Sequence, residues 1–249
     1  MKIALIGYGR MGRLIEEIAK ARGHEIVAVI DVDNRADLAS EAFRSADVAI
    51  EFSVPTAAPD NIRACFEARV PVVCGTTGFN DRLAEFKRIC DAGEGTLLHS
   101  SNFSIGVNIF RAINRYVAGI MNSFPAYTPA LAETHHIHKL DHPSGTAVTL
   151  ADELVAAYEK APGWYEPTLE SRDPEWLPVS TERRGEVPGI HTVTWESDAD
   201  TISFTHSAKN RRGFAEGAVR AAEWLAGKKG FFSMGQMLSD ITGTQNLFT

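Results

Sequence analysis

The opening stretch of the chain constrains its fold more than any other. An apolar run from Ile3 to Ile6 meets Gly7-Tyr8-Gly9-Arg10-Met11-Gly12, after which Met11, Leu14, Ile15, Ile18 and Ala19 recur at helical spacing as far as Gly23. A second apolar run, residues 25–30, ends at Asp31, nineteen positions beyond Gly12. Strand, glycine turn, helix, strand and acid in this order form the dinucleotide-binding fingerprint. The glycines permit a sharp turn and close approach of a pyrophosphate, the helix N–H groups face its charge, and the acid can bind a ribose diol. The competing reading is that the glycines only pack a helix against a strand.

The alternation continues. Candidate strands at residues 47–53, 71–76 and 96–100 are separated by helical segments at 61–68 and 81–92. Such alternation predicts a parallel sheet covered on both faces, with ligands at the C-terminal strand ends. Phe52-Ser53, Gly75-Thr76-Thr77-Gly78 and Ser100-Ser101-Asn102-Phe103 fall at those ends.

Beyond Phe103 the pattern changes. A helix is predicted over 107–121, then strands at 130–138, 190–196 and 201–207, with 162–188 read as an irregular excursion rich in Pro, Trp and charge. An amphipathic helix over 213–226 carries small residues suited to packing back on the first sheet. The expected architecture is therefore α/β, a Rossmann-type doubly wound parallel sheet with a second α+β domain. Residues 1–103 plus 214–249 would form the dinucleotide-binding domain, and 104–213 a substrate-binding and oligomerisation domain.

A net charge of −7 argues against a nucleic-acid partner, while leaving room for a local basic pocket. The three cysteines, Cys65, Cys74 and Cys90, suggest neither a disulfide framework nor a zinc knuckle, which fits a reducing cytoplasm. No segment reads as a signal peptide or membrane span.

The stretch from Glu133 to Ala147, ETHHIHKLDHPSGTA, holds four histidines, a lysine and two acids. If it is extended, Glu133, His135, Ile137 and Lys139 point one way and Thr134, His136 and His138 the other, so the imidazoles cannot all serve one site. Ser144 or Thr146 can cap the following helix, with Asp152 and Glu153 expected early in it, and the free helix N–H groups can hold a carboxylate. Lys139 adds a positive charge. A histidine, a lysine and an anion-binding helix terminus fit reduction of a dicarboxylate coupled to proton transfer. A metal site is weighed against this and disfavoured, because the alternation splits the imidazoles and no cysteine supports them. A solvated strand face and a nucleotide-sensing regulator are the remaining alternatives.

These motifs resemble the dihydrodipicolinate reductase family. Its H-H-x-x-K-x-D-x-P-S-G-T-A pattern is present without a gap from His135 to Ala147, and the likeness extends to Gly-Arg-Met-Gly from Gly9, Gly-Thr-Thr-Gly from Gly75 and Asn-Phe-Ser from Asn102. It continues through Gly-x-x-x-Gly-x-His-Thr from Gly185 and the run from His206 to Ala218. The resemblance implies a 4-hydroxy-tetrahydrodipicolinate reductase of the diaminopimelate route to lysine, a cytoplasmic, NAD(P)H-dependent homotetramer with no metal. It implies that His135 is the general acid, Lys139 a second proton donor or carboxylate partner, His136 a substrate contact, and Gly145 and Thr146 the carboxylate cradle. Gly7, Tyr8, Gly9, Arg10, Met11, Gly12, Asp31, Gly75, Thr76, Thr77, Ser100, Ser101, Asn102 and Phe103 would contact the cofactor. Two departures bear on which cofactor. The family's phosphate loop often has one residue more before its Arg-Met-Gly, and its strand-two acid is often followed by arginine where this chain has Val32. NADH is therefore expected to serve at least as well as NADPH, with Arg10 or Arg35 as the residues that could favour a 2′-phosphate.

Overall fold

Lys2–Ile6 forms β1, and the chain turns through glycine into α1, Arg10–Ala21. There follow β2 (Glu25–Ile30), a 3-10 segment over Val32–Ala39, a single turn α2 (Glu41–Arg44), β3 (Val48–Glu51), α3 (Ala58–Glu67), β4 (Val72–Cys74), α4 (Leu83–Asp91) and β5 (Thr96–His99). Next come α5 (Ile105–Met121), β6 (Thr128–His135), α6 (Gly145–Ala157), β7 (Trp164–Tyr165), β8 (Leu177–Arg183), β9 (Ile190–Glu196) and β10 (Thr201–Ser207). The chain ends with α7 (Arg212–Leu225), β11 (Gly230–Phe232) and α8 (Met234–Thr242). This computed structural model describes residues 1–244 with Leu247 and Phe248. It divides into two compact units, Met1–Ile105 with Arg212–Thr249, and Gly106–Arg211.

In the first unit the strands run in the order β11-β5-β4-β3-β1-β2, every pair parallel. Alternate residues of each strand supply opposite faces of the sheet. Ile3, Leu5, Val48 and Ile50 pack with Ile15 and Ile18 of α1 and with Ala215, Ala218, Ala222 and Leu225 of α7. Ala4, Ile6, Ala49 and Cys74 pack on the other side with Ile62 and Cys65 of α3 and Phe86 of α4. The small residues of α7 allow it close to the sheet, and a Cβ on Gly217 would overlap the carbonyl oxygen of Phe103.

The second unit carries a mixed sheet in the order β10-β9-β6-β8-β7, with β6 parallel to β8 and antiparallel to β9. Leu131, Val179, Val193 and Trp195 face Leu150, Ala151 and Leu154 of α6 and Phe110 of α5. The opposite face is lined by hydroxyls, with Thr192 Oγ1 2.9 Å from Thr205 Oγ1 and Thr194 Oγ1 3.2 Å from Ser203 Oγ.

Several expectations need correction. The excursion at 162–188 contains β7 and β8, the latter an interior strand between β6 and β7 anchored by the two buried residues Leu177 and Val179. The strand expected to reach residue 138 stops at His135, so Ile137 and Lys139 leave the alternation and enter a turn. Asp152 and Glu153 lie past the first turn of α6, where Asp152 accepts from the Trp164 indole and Glu153 pairs with Arg111 and Arg115. Among the described residues no helix is long and apolar enough to cross a membrane.

Candidate active site

The turn after β1 is built for close approach. Gly7 has φ +87°, and a Cβ on it would overlap the carbonyl oxygen of Phe52, while one on Gly12 would overlap the carbonyl oxygen of Gly7. Only glycine fits either position without displacing backbone. Gly9 is the N-cap of α1, carries no side-chain cap, and a Cβ on it would meet nothing within 4 Å. No acid stands in the first turn. The leading N–H groups of α1 thus have neither an intrahelical partner nor a competing carboxylate, the arrangement that binds a phosphate. The residues present fit a dinucleotide.

A cavity of about 460 Å³ opens there, lined by Gly7, Tyr8 and Gly9 from the turn, Asp31, Val32 and Arg35 after β2, and Phe52, Ser53 and Val54 after β3. It lies at the point where strand order reverses between β1 and β3, as expected for an open parallel sheet. Asp31 Oδ1 accepts from the backbone N–H of Val32 at 3.0 Å and begins the 3-10 segment as its cap. Arg35 reaches Asp60 Oδ2 at 3.4 Å. Tyr8 hydrogen-bonds Glu16, which raises its hydroxyl pKa.

Arg10, Met11 and Gly12 lie at the start of α1 rather than on the wall of this cavity. Gly75, Thr76 and Thr77 follow β4, and Ser100, Ser101, Asn102 and Phe103 follow β5, also outside its lining. Thr76 is buried and its Oγ1 accepts the N–H of Ser53 at 2.9 Å, so the β4 end braces the β3 end. Gly75 leaves room for the Phe52 ring, which a Cβ there would overlap. Ser100 and Asn102 form a self-capped turn, with Asn102 Oδ1 accepting from Ser104 N at 2.9 Å. Two residues were absent from the sequence reading. Glu51, fully buried at the end of β3, hydrogen-bonds Ser53, and Asn61 donates to both at 3.3 and 3.2 Å.

In the second unit the end of β6 carries a dense polar cluster. Glu133 and His135 are both buried. Glu133 Oε1 accepts the backbone N–H of Ser144 at 2.9 Å and lies 3.3 Å from Arg183 Nη1 and Nη2, while Oε2 lies 3.1 Å from His135 Nδ1 and 3.5 Å from His191 Nε2. Burial pushes the Glu133 carboxyl up, but the His135 and His191 rings beside it and the Ser144 N–H outweigh that and hold the group well below the usual carboxylate range. Burial, then the charge of His191, lowers the pKa of His206.

Ser144 caps α6, its Oγ accepting from Ala147 N at 3.2 Å. Gly145, exposed, and Thr146, half-buried, form the first turn. Lys139 lies against Asp141, Nζ to Oδ1 2.8 Å, and Asp141 Oδ2 sits 3.3 Å from the Gly145 N–H. Of the other histidines, His136 is half-buried, whereas His138 pairs with Glu186 at 3.1 Å and His142 with buried Glu166 at 3.2 Å. His135, Lys139, Gly145 and Thr146 therefore belong to one strand-end, loop and helix start, and His138 and His142 are engaged elsewhere. Glu133, Arg183 and His191 were given no role from sequence, although His191 lies in the Gly-x-His-Thr pattern.

Glu133, His135 and His191 bring one ligand atom each within 4.8 Å of one another, a spacing that could hold a metal ion. The other carboxylate oxygen already faces the Arg183 guanidinium, whose charge opposes a cation there.

Comparison with known proteins follows the same division of the chain. Two family profiles match, "Dihydrodipicolinate reductase, N-terminus" over residues 1–103 and "Dihydrodipicolinate reductase, C-terminus" over residues 106–238. The 4-hydroxy-tetrahydrodipicolinate reductase of Christiangramia forsetii is 48% identical over 242 residues, covering 97% of this chain and 99% of the relative. That of Archaeoglobus fulgidus is 36% identical, covering 96% and 100%. Among solved structures, dipicolinate-bound dihydrodipicolinate reductase from Paenisporosarcina sp. TG-14 superposes with a TM-score of 0.74 at 20% identity, covering 94% of this chain and 97% of that one. An amine dehydrogenase from Mycobacterium smegmatis shares the fold at a TM-score of 0.56 and 12% identity, covering 93% and 94%.

Proposed function

The chain belongs to the dihydrodipicolinate reductase family, and on that premise we propose that it reduces 4-hydroxy-tetrahydrodipicolinate to tetrahydrodipicolinate with a nicotinamide cofactor. The reaction serves the diaminopimelate route to lysine. The observation that carries the reading beyond family membership is the grouping of His135, Lys139 and the α6 N-terminus beside a capped, glycine-led turn.

When bound, a nicotinamide would supply a hydride to C4 of the ring, the carbon from which the hydroxyl leaves as water. Gly7 and Gly9 leave space for its pyrophosphate against the α1 N–H groups, and Asp31 offers carboxylate oxygens to the adenosine ribose. Lys139 and the N–H groups of Gly145 and Thr146 bind a ring carboxylate. His136 contacts the substrate from the adjoining turn. His135 donates the proton that completes reduction at the neighbouring carbon, and with the ring held by its carboxylate that proton travels a short, fixed path. Arg10, Met11, Gly12, Gly75 to Thr77 and Ser100 to Phe103 complete the cofactor surroundings, by shaping the strand ends in the case of Gly75 and Thr76.

NADH is expected to serve at least as well as NADPH. A 2′-phosphate would meet the Asp31 carboxylate, Val32 brings no cation, and Arg35 is partly occupied by Asp60.

A homotetramer is part of the proposal. Val193 and Trp195 are fully buried against the helices and cannot form an oligomer face. The support comes from the uncovered hydroxyl-lined sheet face and from Ile109, Ile113, Tyr116 and Ile120, an exposed stripe at helical spacing on α5. A cytoplasmic location accords with three buried free cysteines, burial pushing the Cys90 thiol up to about 11.

The deciding assay is oxidation of NADH and of NADPH by the purified chain with freshly generated substrate. Substrate-dependent oxidation is the expected result. Its absence with both cofactors would overturn the assignment.

A further inference from the structure

Glu133 and His135 stand two residues apart on β6, so their side chains share a face. The Glu133 side chain is fully buried, and its two oxygens have separate tasks. Oε1 is anchored by the Ser144 N–H at 2.9 Å and by Arg183 from β8, whose position in the sheet is directly opposite His135. Oε2 faces His135 Nδ1 at 3.1 Å and His191 Nε2, from β9, at 3.5 Å. The two face each other at ion-pair distance, and neither Oε2 nor His135 Nδ1 makes an aligned hydrogen bond, to the other or to any further group, among the described residues. An ionised carboxylate can only accept, so the nitrogen that faces it must carry the proton.

The other ring nitrogen looks out over a glycine. A Cβ on Gly189, whose φ is +153°, would lie 2.9 Å from His135 Nε2. Any larger residue would crowd the one ring nitrogen that Glu133 does not face.

We propose that Glu133 is a positioning residue for the proton donor: it holds the proton of His135 on Nδ1 and so makes Nε2 the atom that serves the substrate. This inference rests on the reading of His135 as proton donor. In the transfer the Nε2–H bond breaks and its electron pair stays on the imidazole, while a C–H bond forms at the ring carbon beside the reduced one. The neutral ring keeps its Nδ1–H against Glu133, and Nε2 is reprotonated from water. Glu133 keeps its charge throughout, with the Arg183 guanidinium beside Oε1 favouring that state.

The test is 15N NMR of histidine-labelled protein in the neutral-imidazole range, with the His135 signals assigned by their loss in His135→Gln. Wild type is expected to show His135 protonated on Nδ1. Glu133→Gln, which offers both a donor and an acceptor, should lower that tautomer's share, reduce kcat at least about tenfold and leave the cofactor KM within about twofold. Arg183→Gln removes an anchor of Oε1 and should keep the Nδ1 tautomer. An Nε2-protonated ring in wild type would overturn the proposal, and that result decides even if Glu133→Gln does not fold. So would an unchanged tautomer in Glu133→Gln, or an equal loss in Arg183→Gln. Full activity in His135→Gln would instead remove the proton-donor reading and leave the tautomer result standing.

Discussion

Asp141 occupies two of the donors proposed for a ring carboxylate: its Oδ1 is 2.8 Å from Lys139 Nζ and its Oδ2 is 3.3 Å from the N–H of Gly145. Burial tends to raise its carboxyl, but the Lys139 ammonium prevails and holds it below the usual range. On the proposed binding mode a substrate carboxylate must therefore displace a resident one. Asp141→Asn is expected to lower the substrate KM up to about fivefold, the scale of one half-exposed ion pair. Lys139→Gln should raise it at least about tenfold. Initial rates across a substrate series check both, and an unchanged KM in Asp141→Asn would show that the two carboxylates do not compete.

Replacing His135 with Gln removes the proposed proton donor and leaves the cavity beside Gly7 in the first unit intact. Turnover should fall roughly a hundredfold or more, with cofactor binding nearly unchanged. Turnover within a few-fold of wild type would assign the proton to another group. Steady-state rates and a fluorescence titration with NADH separate the two effects.

On the proposed reading, cofactor choice turns on the neighbours Asp31, Val32, Arg35 and Asp60. Catalytic efficiency with NADH should equal or exceed that with NADPH, and Arg35→Ala should reduce NADPH use while sparing NADH. Asp60→Asn frees Arg35 from its 3.4 Å partner and should shift the ratio toward NADPH. An efficiency with NADPH more than tenfold above that with NADH would show that the arginine outweighs Asp31.

Glu133 should also shape acid stability. Its carboxyl is depressed in the folded state, so its contribution is complete above the ordinary glutamate range near about pH 4.3 and is lost as pH falls through the lower folded value. Glu133→Gln should cost about 3 kcal/mol at neutral pH by leaving Arg183 without its buried partner. The gap between wild-type and variant melting temperatures should narrow as the pH drops below about 4. A gap constant down to pH 2 would mean that the charge of Glu133 contributes nothing.

Assembly is open to direct measurement. Sedimentation at micromolar protein should give a tetramer, and Tyr116→Glu, placed in the exposed apolar stripe of α5, should shift it toward smaller species. A monomer in wild type removes the claim. An unshifted tetramer in the variant places the interface away from this stripe.

Much of the fold was legible because it is written in local patterns. The glycine turn after β1 and the bounds of β9 and β10 follow from short-range spacing, and the structure reproduces both strands residue for residue. β8 was missed because only Leu177 and Val179 are fully buried in a strand that has Pro178 between them and ends on charges, too sparse an alternation to separate from a loop. The same gap hid the pairing of buried Glu133 with Arg183. A glutamate two places before a histidine reads as an ordinary outward polar residue, and Arg183, its partner, lies fifty positions away on the very strand that was not recognised. Asp141 was visible as a charge, but the direction of its carboxylate depends on where β6 stops, and that is set by tertiary pairing.

The parallel pairing of β6 with β8 through α6 means that the second unit repeats, on a smaller scale, the device of the first. In both, a strand hands the chain to a helix whose leading N–H groups have no partner within the helix. The two versions differ in how the hand-over is filled. Between β1 and α1 it is three residues long and includes two glycines, leaving room for a bulky ligand and little else. Between β6 and α6 it runs for nine, from His136 to Ser144, and is packed with side chains that bring charge and protons. On the proposed function, one scaffold grips by backbone alone and the other adds reactive groups to the same grip. Changes of residue in the longer loop can alter which anion is taken and what is done to it, while strand and helix keep their places.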